Sequence, residues 1–399
     1  MEAIALIFWG LALVPYSLFP LVLRALGQKP KSLEEATHQA KLPKVSVVFA
    51  AYNEEANLAR MLDHLLAQDY PGELEVWVGS DQSTDRSDEI LSQYSAKHPS
   101  IHWIRMEQRS GKSQIINRLV SESTGDWLVG TDANIFFAPD CIRQLLLEAE
   151  LNPKASVVGG SLFYRGMGES ANRGIADQER WYINWENYAK RVEYDRTGCA
   201  MGVEGGLYAI RREAFRPIPF GTFMEDFYLS FSAMLRGEDV AWSLNAVASE
   251  DVSHDRNSEF NRKVRIAHGN WQNIGRFIGS FHRLRLPVLL VFLGHKLLRW
   301  TAPLLVLGGI LLGLVPGQAW SEGAQFAWIL FAGLSAYTLV LRVFALTPLD
   351  RLTGRLIRVP GLRLLNHLLL MNLALGLGFL RYLRGRTNGV WEPTPRTNE

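Results

Sequence analysis

Hydrophobic residues are concentrated at the two ends of the chain, with a more polar segment between them. The first apolar stretch, residues 3–23, is long enough to cross a bilayer, and basic residues that begin at Arg24 follow it. This asymmetry predicts an outside N-terminus and a retained transmembrane anchor over residues 1–24. A cleaved signal peptide is the alternative, but Glu2 stands where such a peptide carries basic residues.

In the middle segment, residues 42–280, β-branched runs alternate with stretches of helical periodicity. This pattern predicts an α/β domain with a largely parallel sheet covered by helices. Strands are predicted in VSVVFAAYNE, ELEVWVGSDQSTD, IHWIRM and DWLVGTDAN, and helices in EEANLARMLDHLLAQ, STDRSDEILSQY and KSQIINRLVSES. Ligands of open α/β sheets collect beyond the carboxyl ends of the strands, so we expect Asn53, Asp81 and Asp132 at one edge.

The C-terminal segment, residues 281–399, is again membrane-like. We predict an interfacial amphipathic helix over residues 281–298 and then two spans over residues 300–315 and 324–344. Basic residues lie on both sides of residues 364–380, which favours a helix in the membrane plane and a cytoplasmic C-terminus, with a true span as the alternative. The chain is thus predicted to be a multi-pass protein of the bacterial inner (plasma) membrane, with its middle domain in the cytoplasm.

Composition narrows the function further. The chain of 399 residues is 48% hydrophobic, enough for a full core and a few spans. Its formal net charge of +2 gives no support for nucleic-acid binding. Cys141 and Cys199 form neither a disulfide framework nor a metal-ligand pattern, as expected for a reduced compartment.

The first chemical signature is Asp132-Ala133-Asn134 at the end of an apolar run. A carboxylate there is costly unless it is solvated, paired or bound to a cation. Mg²⁺ or Mn²⁺ between Asp132 and a diphosphate would neutralise charge on a leaving nucleotide, so we interpret Asp132 as a metal ligand. The amide oxygen of Asn134 can coordinate without adding charge, and a later residue such as His254 is a further candidate ligand.

The second signature is Glu225-Asp226, at the start of the predicted amphipathic helix MEDFYLSFSAML. A carboxylate at this position can take a proton from an acceptor hydroxyl. The alternative is an acidic first turn that the helix dipole stabilises without any role in catalysis.

Six segments, in this order and spacing, resemble the family-2 glycosyltransferases, which have a GT-A nucleotide-binding fold. They are AAYNEEANL, VGSDQSTDRS, RSGKSQIINRL, GTDAN, GGLYAIRREAF and MEDFYLSF. The likeness is greatest to the membrane-embedded branch with cellulose, hyaluronan and poly-N-acetylglucosamine synthase-like enzymes. It covers most of the chain beyond Lys44 and implies a Rossmann-like GT-A domain.

The resemblance also implies roles for residues on the donor side. The nucleobase and ribose pocket would be lined by Ala51, Tyr52 and Glu54. Asp81 would accept a hydrogen bond from the base, and Lys112 would meet the diphosphate near a helix N-terminus. Each has a structural alternative: a strand-end turn with a helix capped by Asn53, a helix cap at Asp81, and a solvated surface lysine at Lys112.

Acceptor contacts are expected from three other residues. Glu204 lies in a Gly-rich stretch that permits close approach of a sugar. The resemblance implies that Asp226 is the base, which deprotonates the acceptor hydroxyl during attack on an anomeric carbon in a single displacement with inversion. Glu225 is its neighbour. Trp185 could stack on a sugar ring, although core packing explains the same helical spacing equally well.

Arg262 and Arg265 share a helix face and could clamp a diphosphate. In the segment FNRKVRI, however, the chain lacks the tryptophan of the Gln-Arg-x-Arg-Trp pattern found in processive synthases of the branch. Its absence argues against long-chain processivity but is compatible with transfer. Contact with anionic lipid headgroups is the alternative for this basic cluster.

The sequence therefore predicts inverting, cation-dependent transfer from a nucleotide-diphosphate sugar, with UDP-sugar as the expected donor. The acceptor is predicted to be a growing glycan in exopolysaccharide or cell-envelope polysaccharide synthesis. One alternative is the addition of a single sugar to a polyprenyl phosphate or lipid-linked acceptor, and another is a membrane scaffold without turnover. Export of a polymer through so few spans would need partner proteins.

Overall fold

A computed structural model of the chain describes residues 1–26, 42–165, 173–251, 256–317, 319–344 and 360–385. The strands are β1 Val45–Ala51, β2 Leu74–Ser80, β3 Ile101–Arg105, β4 Trp127–Gly130, β5 Ile135–Phe137, β6 Ala155–Arg165, β7 Tyr208–Arg211 and β8 Asp239–Asp251. The helices are α1 Glu2–Leu13, α2 Leu18–Leu26, α3 Glu55–Leu66, α4 Ser87–Lys97, α5 Lys112–Glu122, α6 Cys141–Leu151, α7 Arg173–Thr197, α8 Glu225–Leu235, α9 Arg256–Phe277, α10 Leu286–Val291, α11 Leu298–Gly313, α12 Glu322–Phe344 and α13 Pro360–Leu383.

The described residues divide into two units. The helical unit takes its residues from Met1–Ala25, Arg256–Trp271 and Leu290–Gly385. The sheet unit takes its residues from Leu26–Asp255 and Gln272–Leu289. The sheet unit contains all eight strands, in the order β3-β2-β1-β4-β7-β6-β8-β5.

The first half of the sheet is parallel, as the sequence pattern predicts. Strand β1 pairs with β2 and β4, and β2 pairs with β3, all in parallel register. Every residue of β1 is buried, which is typical of a parallel strand covered on both faces. Helices α3, α4 and α5 follow these strands, and α5 packs on β2, where Ile115 fills the space beside Gly79. The predicted strands and helices of this half are all present.

The second half of the sheet is mixed, so the expectation of a largely parallel sheet holds only for the first half. Strand β7 runs antiparallel to both of its neighbours, β4 and β6, and β5 runs antiparallel to β8. Only β6 and β8 pair in parallel there. In the antiparallel pair of β4 and β7, Tyr208 lies opposite Gly130, and a side chain on Gly130 would collide with the tyrosine ring.

The helical unit is packed through small residues facing aromatic rings. The indole of Trp9 on α1 covers Gly309 of α11 and donates to the carbonyl of Val306 at 3.4 Å. On α12, Trp328 packs on Gly313 and donates to the carbonyl of Ile310 at 2.9 Å. Close helix approach through glycine is common in membrane helices, where burial of apolar surface from water contributes little.

Two helical segments in the described part of the chain have the length and apolar composition to cross a membrane. They are Leu286–Gly313, with 28 residues, and Glu322–Val340, with 19. A third candidate span is formed by the helices Glu2–Tyr16 and Leu18–Ala25, provided that the two, which are bent by 42° relative to each other, count as one span. Leu368–Leu383 is a shorter apolar helix, so its position in the membrane stays a prediction.

The segment predicted as a separate interfacial helix, residues 281–298, differs from expectation. Ile278–Arg283 is a 3₁₀ stretch, and Phe292–Leu297 is a π-helical turn that joins α10 to α11. His295 and Lys296 are basic residues of this segment, and both are buried. The apolar helix therefore continues through this region to Gly313.

Candidate active site

Lys112 links the two carboxylate signatures of the sheet unit. It is the first residue of α5, and its Nζ lies 2.6 Å from Oδ1 of Asp132, just beyond β4, and 2.5 Å from Oε1 of Glu225, at the start of α8. Burial alone would lower the pKa of Lys112, but Asp132 and Glu225 raise it well above its usual value. The site therefore contains a permanently charged lysine between two carboxylates that are far apart in the sequence.

Asp226, the expected base, is buried beside this cluster. Its Oδ1 accepts a hydrogen bond of 2.8 Å from the backbone N–H of Phe227. Burial, together with the negative charge of Glu225, raises the pKa of Asp226 to about 8, although Lys112 opposes the shift. A carboxyl group with a raised pKa is better matched to accepting a proton near neutral pH than an ordinary aspartate.

Tyr208 lies under the cluster and was not identified from the sequence. Burial and the charge of Glu225 raise the pKa of its phenol, and it also interacts electrostatically with Lys112, Asp226 and Asp132. Gly205 brings the backbone close from the acceptor side, because a Cβ there would lie 3.2 Å from Oδ2 of Asp226. The Gly-rich stretch thus runs close to Asp226 and Lys112, and the approach of a sugar to it stays a prediction.

Asp81 holds the loop that leads into α5. Its buried carboxylate accepts hydrogen bonds from the backbone N–H groups of Ser110, at 2.6 Å, and Gly111, at 3.2 Å, and from Nε of Arg109, at 3.2 Å. Asp81 does not cap the following helix, α4, whose N-cap is Arg86. It fixes the loop immediately before Lys112, and its contact with a nucleobase stays a prediction.

Tyr52 and Arg109 form a stacked pair at the same edge. The guanidinium carbon of Arg109 lies 3.3 Å from the centre of the Tyr52 ring. The sequence analysis did not single out Arg109, although it stands directly before the Ser-Gly-Lys segment that was noted. Its position shows that Tyr52 is held at this edge by a cation–π contact.

The other predicted residues of the nucleobase pocket follow β1. Ala51 is buried at the end of that strand, and Glu54 is the N-cap residue of α3, without a side-chain capping bond. The alternative that Asn53 caps this helix is wrong. Asn53 has a positive φ of 52°, and its side-chain oxygen accepts from the N–H of Thr84 at 2.8 Å. It joins the loops after β1 and β2 instead.

The donor set around Asp132 fits a cation that is shared with phosphates. Its side chain is 43% exposed, and Mg²⁺ is commonly bound through one or two carboxylates plus substrate phosphates. Nδ2 of Asn134 donates to Oε1 of Glu250 at 3.1 Å, which leaves its carbonyl oxygen as the candidate ligand atom. No group of three or more His, Cys, Asp or Glu side chains suited to a metal occurs among the described residues. His254 lies outside the described residues.

Of the residues predicted to contact the acceptor, Glu204 forms an ion pair with Lys190 of α7. Both lie in the sheet unit, and Glu204 contributes to the raised pKa of Asp226. Trp185, also on α7, is partly exposed and lies 5.5 Å from the ring of Tyr188. Its proposed stacking on a sugar ring stays a prediction, as does its alternative role in core packing.

Arg262 and Arg265 belong to the helical unit, on α9. Nη1 of Arg262 lies 3.5 Å from Oε2 of Glu259 on the same helix. Their assignment to a diphosphate stays a prediction, and so does the alternative of a lipid headgroup.

Comparison with known proteins agrees with this geometry. Residues 46–218 match the model of the family described as Glycosyl transferase family 2. The chain is 25% identical over 288 residues to an N-acetylglucosaminyltransferase of Sinorhizobium fredii, which is 68% of this chain and 67% of that protein. It is 32% identical over 148 residues to a beta-monoglucosyldiacylglycerol synthase of Synechocystis, which is 35% of this chain but only 31% of that protein.

The fold is shared with a solved glycosyltransferase along almost the whole chain. A mannosyltransferase from Pyrobaculum calidifontis, solved in complex with GDP-Man and Mn²⁺, superposes with a TM-score of 0.68 at 19% identity. The superposition covers 96% of this chain and 99% of that one. The chain therefore has the GT-A fold, its residues 46–218 match the family-2 model, and the protein is a glycosyltransferase.

Proposed function

We propose that this protein is a membrane-bound, inverting glycosyltransferase that moves a sugar from a nucleotide-diphosphate donor, a UDP-sugar, to a growing glycan. The observation that carries the proposal is the ion-pair cluster in which Lys112 bridges Asp132 and Glu225 beside the buried Asp226. In this cluster the ammonium group of Lys112, which we propose binds the diphosphate, lies in the same site as Asp226, the proposed proton acceptor.

On the donor side, Lys112 at the N-terminus of α5 is proposed to bind the negatively charged diphosphate of the donor. Backbone N–H groups at a helix N-terminus attract anions, and a lysine there adds a full positive charge. Asp81 fixes the loop before the lysine through three hydrogen bonds, so this end of the helix is already in place before the donor arrives. Ala51, Tyr52 and Glu54 are proposed to contact the nucleobase and ribose.

A divalent cation, Mg²⁺ or Mn²⁺, held by Asp132 and the donor phosphates would neutralise the charge that develops on the leaving nucleoside diphosphate. Asn134 is the second proposed ligand. The mannosyltransferase from P. calidifontis was solved with Mn²⁺, which supports this choice of cation.

On the acceptor side, Asp226 takes the proton of the attacking hydroxyl. A base beside the attacking oxygen favours a single displacement at the anomeric carbon, with inversion of its configuration. Because burial disfavours the charged form of Asp226, the group regains a stable neutral state when it accepts the proton. Glu204, Glu225 and Trp185 are proposed to position the acceptor.

Two acceptor classes have separate support. A growing glycan is supported by the resemblance to the membrane-embedded synthases. A lipid-linked acceptor that receives one sugar is supported by the missing tryptophan beside Arg265 and by the partial match to a synthase of glucosyl diacylglycerol. The apolar helices Leu286–Gly313 and Glu322–Val340 support a position at the membrane in both cases, with the transfer domain proposed to lie in the cytoplasm.

The donor and product are tested on full-length protein reconstituted in lipid with Mn²⁺. A panel of radiolabelled UDP- and GDP-sugars is offered, and the products are separated by size. We expect a UDP-sugar to label a ladder of products, whereas a single increment would establish the lipid-linked alternative. Absence of transfer from every donor would contradict the proposal. Transfer rates that do not change when EDTA is added would rule out a role for the cation.

A further inference from the structure

We infer that Lys190 is a positioning residue of the transfer site: through its ion pair with Glu204 it fixes the turn beside Asp226 and offsets the charge of Glu204 there. The inference rests on the proposed role of Asp226 as the base. It concerns a residue that neither the sequence motifs nor the donor chemistry involves.

The first observation is the burial of the lysine. The side chain of Lys190 is only 3% exposed, whereas that of Glu204 is 33% exposed. A buried ammonium group is costly unless it is paired. Lys190 is held by Glu204 and by the face of the Trp242 ring, whose centre lies 4.6 Å from Nζ. These two contacts fix the position of the Lys190 ammonium group, whereas a solvated lysine side chain samples many conformations.

The second observation is the position of its partner. The N–H of Leu207 donates to the carbonyl of Glu204 at 3.0 Å, which closes a tight turn over residues 204–207. Within this turn, a Cβ on Gly205 would lie 3.2 Å from Oδ2 of Asp226 and 3.4 Å from Nζ of Lys112. By holding Glu204, Lys190 therefore anchors the backbone that approaches the base most closely from the acceptor side.

The charges around Asp226 come from several elements. Glu225 lies on its own helix, Lys112 on α5, Glu204 in the turn before β7, and the phenol of Tyr208 on β7. Asp132 interacts with Lys112 and Tyr208. On α7, Glu186 and Glu193 are buried one turn before and after Lys190. In this excess of carboxylates, the pairing of Lys190 with Glu204 limits the negative charge that Asp226 experiences.

The role predicts opposite effects for the two partners. Lys190→Met removes the positive charge that is paired with Glu204, which disfavours ionised Asp226 and moves its titration upward by about one pH unit. Glu204→Gln removes the anion and leaves the lysine, so the titration moves downward by a similar amount. The double variant removes both charges and returns the midpoint toward that of the wild type, and Lys190→Arg, which keeps the charge, leaves it in place.

The titration is measured without any donor, by infrared spectroscopy of the full chain in lipid nanodiscs. The C=O stretching band of protonated Asp226 is the band that Asp226→Asn abolishes, and its midpoint is followed against pH in each variant. The matched control is Lys44→Met, which removes a lysine paired with Glu75 at the other edge of the sheet. The midpoint is expected at the lowest pH in Glu204→Gln, at an intermediate pH in the wild type and at the highest pH in Lys190→Met.

The pH profile of kcat/KM with the donor found in the panel should follow the same order. If Lys190→Met fails to fold, Lys190→Gln, which removes the charge but keeps a polar side chain, is measured in its place and should move the midpoint upward in the same way. Equal midpoints in the folded variants, or a shift of the same sign in both single variants, would overturn the inference. Because the infrared titration needs no turnover, it decides the role of Lys190 even if no donor supports transfer.

Discussion

Glu75 and Asp226 are both carboxylates buried in the sheet unit, but they lie at opposite edges of the sheet in opposite surroundings. Oε1 of Glu75 accepts from Ser46 Oγ and from the N–H of Thr124, each at 2.6 Å, and Lys44 lies 3.6 Å from its other oxygen. Burial alone would raise the pKa of Glu75, but these hydrogen bonds and the charge of Lys44 lower it to about 2.

Asp226 is buried to a similar extent without comparable compensation. Burial and neighbouring Glu225 raise its pKa to about 8, although the charge of Lys112 and the hydrogen bond from the N–H of Phe227 act against the shift. The difference separates two uses of a buried carboxylate. Glu75 joins β1, β2 and the loop before β4 and stabilises the fold, whereas Asp226 is held in a state that favours accepting a proton.

The largest expected effect is the loss of transfer in Asp226→Asn. Removal of a general base typically lowers turnover by about 10²- to 10⁴-fold. The fold should persist, because the substitution replaces a buried carboxyl by a neutral amide of the same shape. Initial rates of transfer and donor binding are measured on the same preparation. Asp69→Asn, at a carboxylate that is 62% exposed, is the control and should retain full activity. Comparable transfer rates in Asp226→Asn and Asp69→Asn would show that Asp226 is not the base.

Glu75→Gln should show the reverse behaviour. Loss of the charge-assisted hydrogen bonds is expected to lower the free energy of unfolding by about 1–3 kcal/mol, since buried partners are left unpaired. The turnover of the folded fraction should be unchanged. Denaturant unfolding followed by tryptophan fluorescence measures the first quantity, and activity per folded molecule measures the second. A loss of turnover in fully folded Glu75→Gln would contradict the assignment of this edge to stability alone.

The two carboxylates should also give opposite pH dependences of stability. The raised pKa of Asp226 means that its neutral form is favoured in the folded state, so its contribution is lost as pH rises from the ordinary value of 3.8 toward about 8. We therefore expect Asp226→Asn to raise the unfolding temperature relative to wild type more at pH 8 than at pH 5.

The lowered pKa of Glu75 has the opposite sign: its contribution is present above the ordinary value of 4.5 and is lost as pH falls toward about 2. Thermal unfolding curves over this range test both signs. An Asp226→Asn difference that does not depend on pH would show that the carboxyl of the folded protein titrates normally.

The smallest expected effect concerns the backbone beside the base. Gly205→Ala places a methyl group 3.2 Å from Oδ2 of Asp226 and 3.4 Å from Nζ of Lys112, distances at which the neighbours must move by a few tenths of an ångström. Transfer should fall several-fold while stability changes little. Gly279→Ala, where nothing lies within 4 Å, is the matched control. Equal activity of the two variants would argue against close packing at this turn.

The sequence was sufficient to predict the parallel half of the domain and one edge of the site. Continuous β-branched runs determine β1, β2 and β4, and the polar residues that follow each strand must meet at the carboxyl edge. Asp81 and Asp132 are accordingly placed there. The helix that begins at Glu225 was also predicted from its amphipathic pattern.

Other parts of the site depend on contacts between distant segments, which local patterns do not encode. The packing of Tyr208 against Gly130 joins β7 to β4, and the ion pair of Lys190 with Glu204 joins α7 to a turn. Arg109 had no motif of its own. Asn and Asp are residue types that commonly cap helices. The side chains of Asn53 and Asp81 instead accept hydrogen bonds from backbone N–H groups of a neighbouring loop, because these tertiary donors outcompete the N–H groups of the following helix.

The most direct test of the account is the pH dependence of kcat/KM for the wild-type enzyme between about pH 6 and pH 9, because this ratio reports the ionisation of the free enzyme's essential base. The raised pKa of Asp226 predicts a rate that climbs with pH and levels off above a midpoint near 8. A profile that is flat across this range would show that the base is already fully ionised at neutral pH, and it would contradict the claim that its surroundings raise the pKa of Asp226 to about 8.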